Sequence, residues 1–367
     1  MRGLKFIKIF PIAIFLIFSI GINYAKEKKK EETVKIPKEI SQIFDANLPS
    51  KQERFDIPIN YAKTLYFPSR ENYFAYFFFK IKNGDLNFQP VVIQPEKEKK
   101  PEEQEQKEDK LVCNMNFFLR IYSIDEKGEV KKIFKEIYLP YFEEKKVEEY
   151  NPEEENFYSV GTIFQPGKYL LGLAITTVDL KKVGMIFEEF SLPSQSSLRR
   201  KITTTPLFFV KSLKRISQAD TEVKIYKNLF HYSVLEIEPK FVNKFSPFDN
   251  LDIFYFILGS QPDENGKFDF EINYKIKRGE EEAVKFSPQK LDDVPAPIVS
   301  LPLPLSSSEK PLEPSDYILE ITIKDKNGNI SGKEEISFKV KEGVRSQHLT
   351  FDERIGCKNF KKVNVKC

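Results

Sequence analysis

Tyr73-Phe74-Ala75-Tyr76-Phe77-Phe78-Phe79-Lys80-Ile81 is the stretch from which the fold is read. Aromatic and β-branched side chains pack well on a pleated surface, so this run reads as a strand. Outward from it the same character returns. Asn116-Phe117-Phe118-Leu119-Arg120-Ile121-Tyr122-Ser123-Ile124 alternates as a strand with one buried face does. Asp125-Glu126-Lys127-Gly128 then reads as a turn and Val130–Leu139 as a further strand. Pro166-Gly167 punctuates the chain before Lys168–Ile175, and Gly184–Leu192 closes the series. The one stretch with any helical character beyond the N-terminal region is Tyr141–Tyr150, which is mostly charged.

The order then recurs. Tyr73–Phe78, preceded by Phe67-Pro68, matches Asp252–Ile257, preceded by Ser246-Pro247, at an offset of 179 residues. Phe118–Ile124 matches Phe270–Ile276 at offset 152, and Gln165–Leu171 matches Glu313–Leu319 at offset 148. The drop between the first two offsets falls where the first copy carries an extra charged segment, Pro95–Lys110. These offsets describe two copies of one all-β unit. With seven or eight short strands in each copy, the unit reads as a β-sandwich. The fold class expected is therefore all-β: two tandem antiparallel β-sandwiches at 51–193 and 207–342, joined by a polar linker at 194–206. A disordered insertion is expected at about 95–110, because its Lys, Glu, Asp and Gln cannot bury enough apolar area to offset the entropy of ordering.

The ends of the chain read differently. Residues 1–25 carry a basic start (Arg2, Lys5, Lys8), an apolar stretch from Ile9 to Ile22, and small residues at Gly21 and Ala25. This is the pattern of a secretory signal peptide. An uncleaved anchor is the competing reading, but the stretch is short for a bilayer span, which needs about 20 residues. Residues 26–50 are expected to be a charged flexible leader, with a helical turn near Glu39–Phe44, and residues 343–367 a basic tail. The protein is thus expected to be exported, periplasmic or extracellular, with no spanning helix in the mature chain.

The 367 residues carry 58 Lys and Arg against 55 Asp and Glu, a net charge of +3 that falls to zero once residues 1–25 are removed. A neutral chain has no general grip on anionic surfaces, so no nucleic-acid partner is expected. With two His and three Cys, His-rich metal clusters and disulfide-dense scaffolds are excluded. Cys357 and Cys367 are candidates for a disulfide after export, with the connectivity left open. Cys113 is then the odd thiol, either buried or paired to another chain. His231 lies in a strand-like stretch and His348 in the tail; neither has companions that would make it a ligand or an acid–base pair. Asp325-Lys326-Asn327-Gly328-Asn329 spaces its oxygens like the start of a calcium loop, but the Asn-Gly pair reads better as a hairpin turn. Asn265-Gly266 and Asn83-Gly84 read the same way. The alternating prolines of Val294–Leu305 exclude a central strand and leave a packed connection or a docking edge. No nucleophile elbow or phosphate loop is present, so no catalytic residue, metal or cofactor is expected.

Pro166-Gly167-Lys168-Tyr169-Leu170-Leu171-Gly172-Leu173-Ala174 resembles the late core strand of immunoglobulin-like and fibronectin-type-III-like modules of secreted bacterial proteins. Pro314-Ser315-Asp316-Tyr317-Ile318-Leu319-Glu320-Ile321 repeats the resemblance, with Ser-Asp in place of Gly-Lys. Together the two copies cover about Phe55–Lys341. The Cys…Trp…Cys pattern of antibody domains is absent, since the chain has no Trp. The resemblance implies an extracellular adhesion, scaffold or ligand-binding role and carries over no catalytic residue. The function expected is a non-enzymatic envelope scaffold or protein-interaction module with an envelope protein as partner, held through a free strand edge. A glycan-binding module is the alternative and would show an aromatic cluster on one sheet face. A hydrolase is the remoter one and would show a carboxylate pair in a cleft.

Overall fold

A computed structural model describes residues 36–91, 110–220, 222–307 and 311–342. The fold is all-β. The first half contributes β1 (Arg54–Phe55), β2 (Asn60–Ser69), β3 (Asn72–Lys82), β4 (Gln89–Pro90), β5 (Lys110–Ile124), β6 (Val130–Lys146), β7 (Glu155–Phe164), β8 (Gly167–Thr177) and β9 (Val183–Leu192). In the second half come β10 (Thr203–Thr204), β11 (Phe208–Arg215), β12 (Tyr226–Lys227), β13 (Phe230–Tyr232), β14 (Leu235–Lys240), β15 (Lys244–Phe245) and β16 (Asn250–Leu258). It ends with β17 (Phe268–Arg278), β18 (Glu281–Lys285), β19 (Gln289–Val294), β20 (Ile298–Pro304), β21 (Ser315–Asp325) and β22 (Ile330–Val340).

Four sheets result. One runs β1-β9-β8-β5-β4, with β6 also on β5, and faces a second of order β12-β7-β3-β2. A third runs β10-β16-β11-β14-β13, with β20 also on β16, and faces a fourth of order β15-β22-β21-β17-β18, with β19 also on β17. The pairing order repeats between halves: β9-β8-β5 corresponds to β22-β21-β17, β7 on β3 to β20 on β16, and β6 on β5 to β19 on β17. The repeat reaches single atoms. Tyr169 Oη donates to the carbonyl of Gln165 at 2.9 Å, and Tyr317 Oη donates to that of Glu313 at 2.9 Å. Each hydroxyl ties the start of its strand to the turn four residues before it, as a tyrosine corner does.

The unbroken apolar run of β3 has a simple cause, because both of its faces are covered. Tyr73, Ala75, Phe77, Phe79 and Ile81 enter the core of the first sandwich. Tyr76 and Phe78 enter a different core, shared with Phe208, Val210, Phe230, Leu235, Ile237, Phe254 and Phe256 of the second half. The matching strand β16 does the same, sending Leu251, Ile253, Tyr255 and Ile257 into the core of the second sandwich and Phe254, Phe256 and Leu258 into the shared one. The β2–β3 sheet and the β11–β16 sheet therefore pack on each other. Phe67 of β2 is the hub of this third core, with six rings at centroid distances of 5.0–6.2 Å, five of them from the second half.

The leader expected at 26–50 ends earlier than the sequence suggests. Helix α1 (Lys38–Asn47) turns Ile40 and Phe44, one helical turn apart, onto the outer face of the β8–β5 sheet, against Phe118, Tyr122, Leu170, Ala174, Met185 and Phe187. This second covered face is why Phe117–Tyr122 is buried on both sides rather than one. Gly172 is required beneath the helix, since a Cβ there would lie 2.8 Å from the Phe44 ring. Arg120, buried among these rings, is held by Asp45 at 2.8 Å and Glu136 at 2.6 Å and sits 5.1 Å from the Phe44 ring centre.

Other expectations are corrected locally. Tyr141–Tyr150 is not helical: β6 continues to Lys146 and a short 3₁₀ turn follows at Val147–Glu149. Asn83 is not at an exposed hairpin but fully buried in a 3₁₀ turn. The linker at 194–206 is partly built in, because Ile202, Thr204 and Thr205 are buried and Thr203–Thr204 pair with β16. The proline-rich segment forms β20, paired with β16 through Ile298–Pro304, with Val299 and Leu303 in the core. Pro302 and Pro304 stand two residues apart, so both missing N–H groups fall on one side of an edge strand, where the ladder does not need them. Asp325–Asn329 is the β21–β22 hairpin turn, as the Asn-Gly reading expects, with the buried Asp325 carboxylate accepting from the backbone N–H groups of Gln261 and Asn327. The signal-peptide region 1–25, most of the insertion at 95–110 and the tail with Cys357, Cys367 and His348 lie outside the described residues. Among the described residues no helix is long and apolar enough to cross a membrane.

Candidate ligand groove at the seam of the two sandwiches

Where the two inner sheets meet, polar groups gather in three places. In two of them every group has found a partner. The first is a ladder of amides. Asn156 Nδ2 donates to Asn83 Oδ1 at 3.0 Å, and Asn228 Nδ2 donates to Asn156 Oδ1 at 3.0 Å. Asn228 Oδ1 accepts from the Phe157 N–H at 2.9 Å, beside the point where β12, a two-residue strand from the second half, pairs with β7. The ladder replaces solvent for a buried backbone crossing. The second surrounds His231 on β13. Its Nδ1 stands 3.3 Å from Asp220 Oδ2, its Nε2 3.2 Å from Glu236 Oε2, and its ring 4.6 Å from that of Tyr226. Hydrogen bonds from Lys224 and Tyr226 hold the Asp220 carboxyl well below the ordinary carboxylate range. His231 thus serves as a spacer between two carboxylates at the seam.

The third place is different. A groove of about 570 Å³ opens between the sandwiches, walled by Leu207, Phe208, Phe241 and Val242, with Lys63, Lys80 and Lys240 reaching into it. Its origin lies in strand register. On β2 and β3 the pairs Phe67↔Phe74, Leu65↔Tyr76 and Lys63↔Phe78 share one face. A bulge between Tyr61 and Lys63 then brings Asn60, opposite Lys80, onto that same face. Leu65, Phe67, Tyr76 and Phe78 are covered by the second half, whereas Lys63 and Lys80 begin where the cover ends. From the other side Lys240 ends β14, and the crossing segment Phe241–Asn243 bridges toward β15. Phe241 anchors that segment with its ring 4.8 Å from Phe78 and 4.9 Å from Phe157.

The charges in this groove are unbalanced. Lys80 is paired with Glu155 at 3.0 Å. Lys63 donates to the Leu207 carbonyl. Lys240 lies 3.8 Å from the Phe245 ring centre, a cation–π contact. Among the described residues neither of these two lysines is ion-paired. Burial alone pulls the Lys63 ammonium down to about 8. Burial also lowers that of Lys240, with Asp249 and Asp252 opposing from a distance. Half-buried lysines elsewhere are treated otherwise. Lys145 meets Glu154 at 3.0 Å, Lys227 meets Glu143, and Lys277 meets Glu320. A cation kept in an apolar wall without a counter-ion costs stability, and such costs concentrate where a ligand completes the site.

None of the residues singled out in the sequence lies here. Cys113 is buried in the first core with its thiol donating to the Leu86 carbonyl at 2.9 Å, and burial pushes it up to about 12. Nothing in a linear reading distinguishes Lys63 and Lys240 from the other lysines. The bulge at Ala62 and the crossing segment at 241–243 bring both to the lining of one groove.

No family model matches the chain, and no curated protein matches it. Similar solved structures include dimeric latent PorU from Porphyromonas gingivalis, at 10% identity over 79% of this chain and 24% of that one, with a TM-score of 0.21. Another is red sea bream transglutaminase, at 6% identity over 84% of this chain and 34% of that one, with a TM-score of 0.23. The chain spans about a quarter and a third of those two structures, and likeness at this level carries no argument about what the chain does.

Proposed function

We propose that the chain is a non-enzymatic exported protein, an interaction module or scaffold of the cell envelope, whose two sandwiches work as one body and whose partner seats in the groove at their seam. One observation carries this reading: the half-buried Lys63 ammonium stands in the groove at the seam with a backbone carbonyl, and no carboxylate, as its partner among the described residues. The use of carboxylates supports binding over catalysis, since Glu143, Glu154 and Glu320 each face lysines rather than a cleft. The paired corners at Tyr169 and Tyr317 support the immunoglobulin-like kinship. A glycan platform is less favoured, because Phe55, Phe134 and Phe142, the large exposed aromatics among the described residues, sit on β1 and β6 and form no shared face with the seam.

The test is affinity purification of the tagged protein from its native envelope after mild crosslinking, run beside a Lys63→Met variant. A stoichiometric protein partner that the variant loses supports the reading. Recovery without any partner overturns it, and a glycan array is then the next measurement.

A further inference from the structure

We propose that the turn joining the two sandwiches, at Arg199-Arg200-Lys201, is a processing site for an arginine-specific endopeptidase, and that the cut chain persists as one body of two fragments. The inference goes beyond the groove and does not depend on it. Three cations follow one another here, all exposed, and none of them meets a carboxylate among the described residues. Leu198 before them packs against the third core, and Ile202 after them is buried in the second. The Lys201 carbonyl lies so close to Gly259 that a Cβ there would collide with it. The chain is thus anchored on either side of the cations, which project to solvent. A protease whose specificity pocket ends in a carboxylate takes such a side chain.

Selectivity comes from what surrounds the other arginines. Among the described residues Arg54, Arg215 and Arg278 lie in strands, and Arg120 is buried beneath α1. Arg70 stands in the turn of the β2–β3 hairpin, between the paired residues Ser69 and Asn72, so an extended substrate conformation there requires strands to unzip. The turn at 194–201 is closed differently. Its backbone bonds run from the Leu198 N–H to the Ser194 carbonyl, from Arg199 to Ser196 and from Lys201 to Leu198, at 3.1–3.3 Å. None is a ladder bond. Arg200 sits at φ +57°, a left-handed conformation that is costly for a residue with a Cβ. Opening the turn breaks three local bonds, frees the half-buried Leu198 and relieves that strain, while β9 and β10 on either side keep their partners. The contacts that hold the cut chain together are already built. Phe67 of the first half meets five rings of the second, and β12 pairs with β7. Tyr232 Oη donates to the Pro68 carbonyl at 2.8 Å, and Ser159 Oγ donates to that of Leu229 at 2.7 Å. The cut removes the covalent link and none of these.

The experiment digests the full chain with endoproteinase Arg-C under native conditions and locates each cut by mass spectrometry, which tells apart cuts after Arg345 and Arg354, beyond β22. The first cut within 36–342 should fall after Arg199 or Arg200. The double variant Arg199→Gln, Arg200→Gln should slow that cut by about a hundred-fold or more and should melt with wild type, since both side chains are exposed. The two fragments should elute together in size exclusion and part only in denaturant. No cut in the turn, a first cut after Arg70, Arg215 or Arg278, or fragments that part under native conditions overturns the inference. The same mapping is then made on protein purified from its native envelope. A fragment beginning at Arg200 or Lys201 is expected there, and a chain intact across 194–202 overturns processing.

Discussion

Replacing Phe67 by alanine should loosen one sandwich from the other. The side chain is fully buried and contacts the rings of Tyr76, Phe208, Phe230, Tyr232, Phe254 and Phe256. Truncating a buried phenylalanine costs about 3–5 kcal/mol, the loss of transfer energy plus the cavity left behind. The upper end is expected, because the surrounding rings come from β3, β11, β13 and β16 and cannot all collapse into one void. In a body of this size each kcal/mol moves the melting temperature by roughly 2 °C, so the expected drop is about 6–10 °C. Differential scanning calorimetry of wild type, Phe67→Ala and Phe55→Ala reads this directly. Phe55 is 63% exposed, and its truncation should cost no more than about 0.5 kcal/mol. Wild type should melt in one transition, because the shared core couples the halves, and Phe67→Ala should broaden or split it. If Phe67→Ala melts within a degree of Phe55→Ala, the seam is a loose contact and the single-body argument fails. Phe67→Leu, expected to cost about 1.5 kcal/mol or less, guards against a variant that does not fold.

Four further outcomes are expected. Lys63→Met should raise stability near pH 7, because it deletes a charge that burial disfavours; thermal melts of wild type and variant check this. The sign follows from a folded ammonium near 8 against an ordinary value of 10.5. Between these values the unfolded chain binds more protons, so this lysine's penalty shrinks as pH rises from 8 to 10.5, and the advantage of Lys63→Met should shrink with it. Gly172→Val should detach α1 from its sheet, since even a Cβ would lie 2.8 Å from the Phe44 ring; limited proteolysis within 36–50 reads this, and protection equal to wild type refutes it. Cys113, its thiol pushed up to about 12 by burial, should resist iodoacetamide at pH 8 in the native protein and react at once in denaturant.

Much of the fold is legible in the sequence because strands announce themselves by side-chain type. Tyr73–Ile81 is read as a strand on aromatic content alone, and offsets between such runs expose the repeat. What cannot be read is which face goes where. A strand covered on both sides loses its period-two pattern, so Tyr76 and Phe77 look alike although one lies in the seam and the other in the first core. Helix α1 is read only as a short turn near Glu39–Phe44 in a flexible leader, for the opposite reason. Its signal, Ile36, Ile40 and Phe44 at helical spacing, is present but follows the charged run Lys26–Glu32, which sets the character of the whole region. The groove lies further still from a linear reading. Lys63 and Lys240 come to line one groove through a one-residue bulge and a strand crossing, features that leave no mark on composition.

The same physics that fuses the sandwiches also creates the groove. Two sheets with apolar outer faces must cover each other, and the matched strands β3 and β16 supply those faces in each copy. A repeat of identical sheets could close this seam along its whole length. Here β2 carries Lys63 on the shared face, directly opposite Phe78, and β3 carries Lys80 just beyond it, so the apolar face stops before the strands do. The second half does not follow it down; the chain leaves β14 at Lys240 and crosses to β15 instead. An apolar residue at 63 would extend the seam by one more rung at a gain in stability. The lysine there forgoes that gain and lies without a counter-ion among Leu207, Phe208 and Phe241. Stability alone gives no reason for that choice, whereas a partner seated in the groove does.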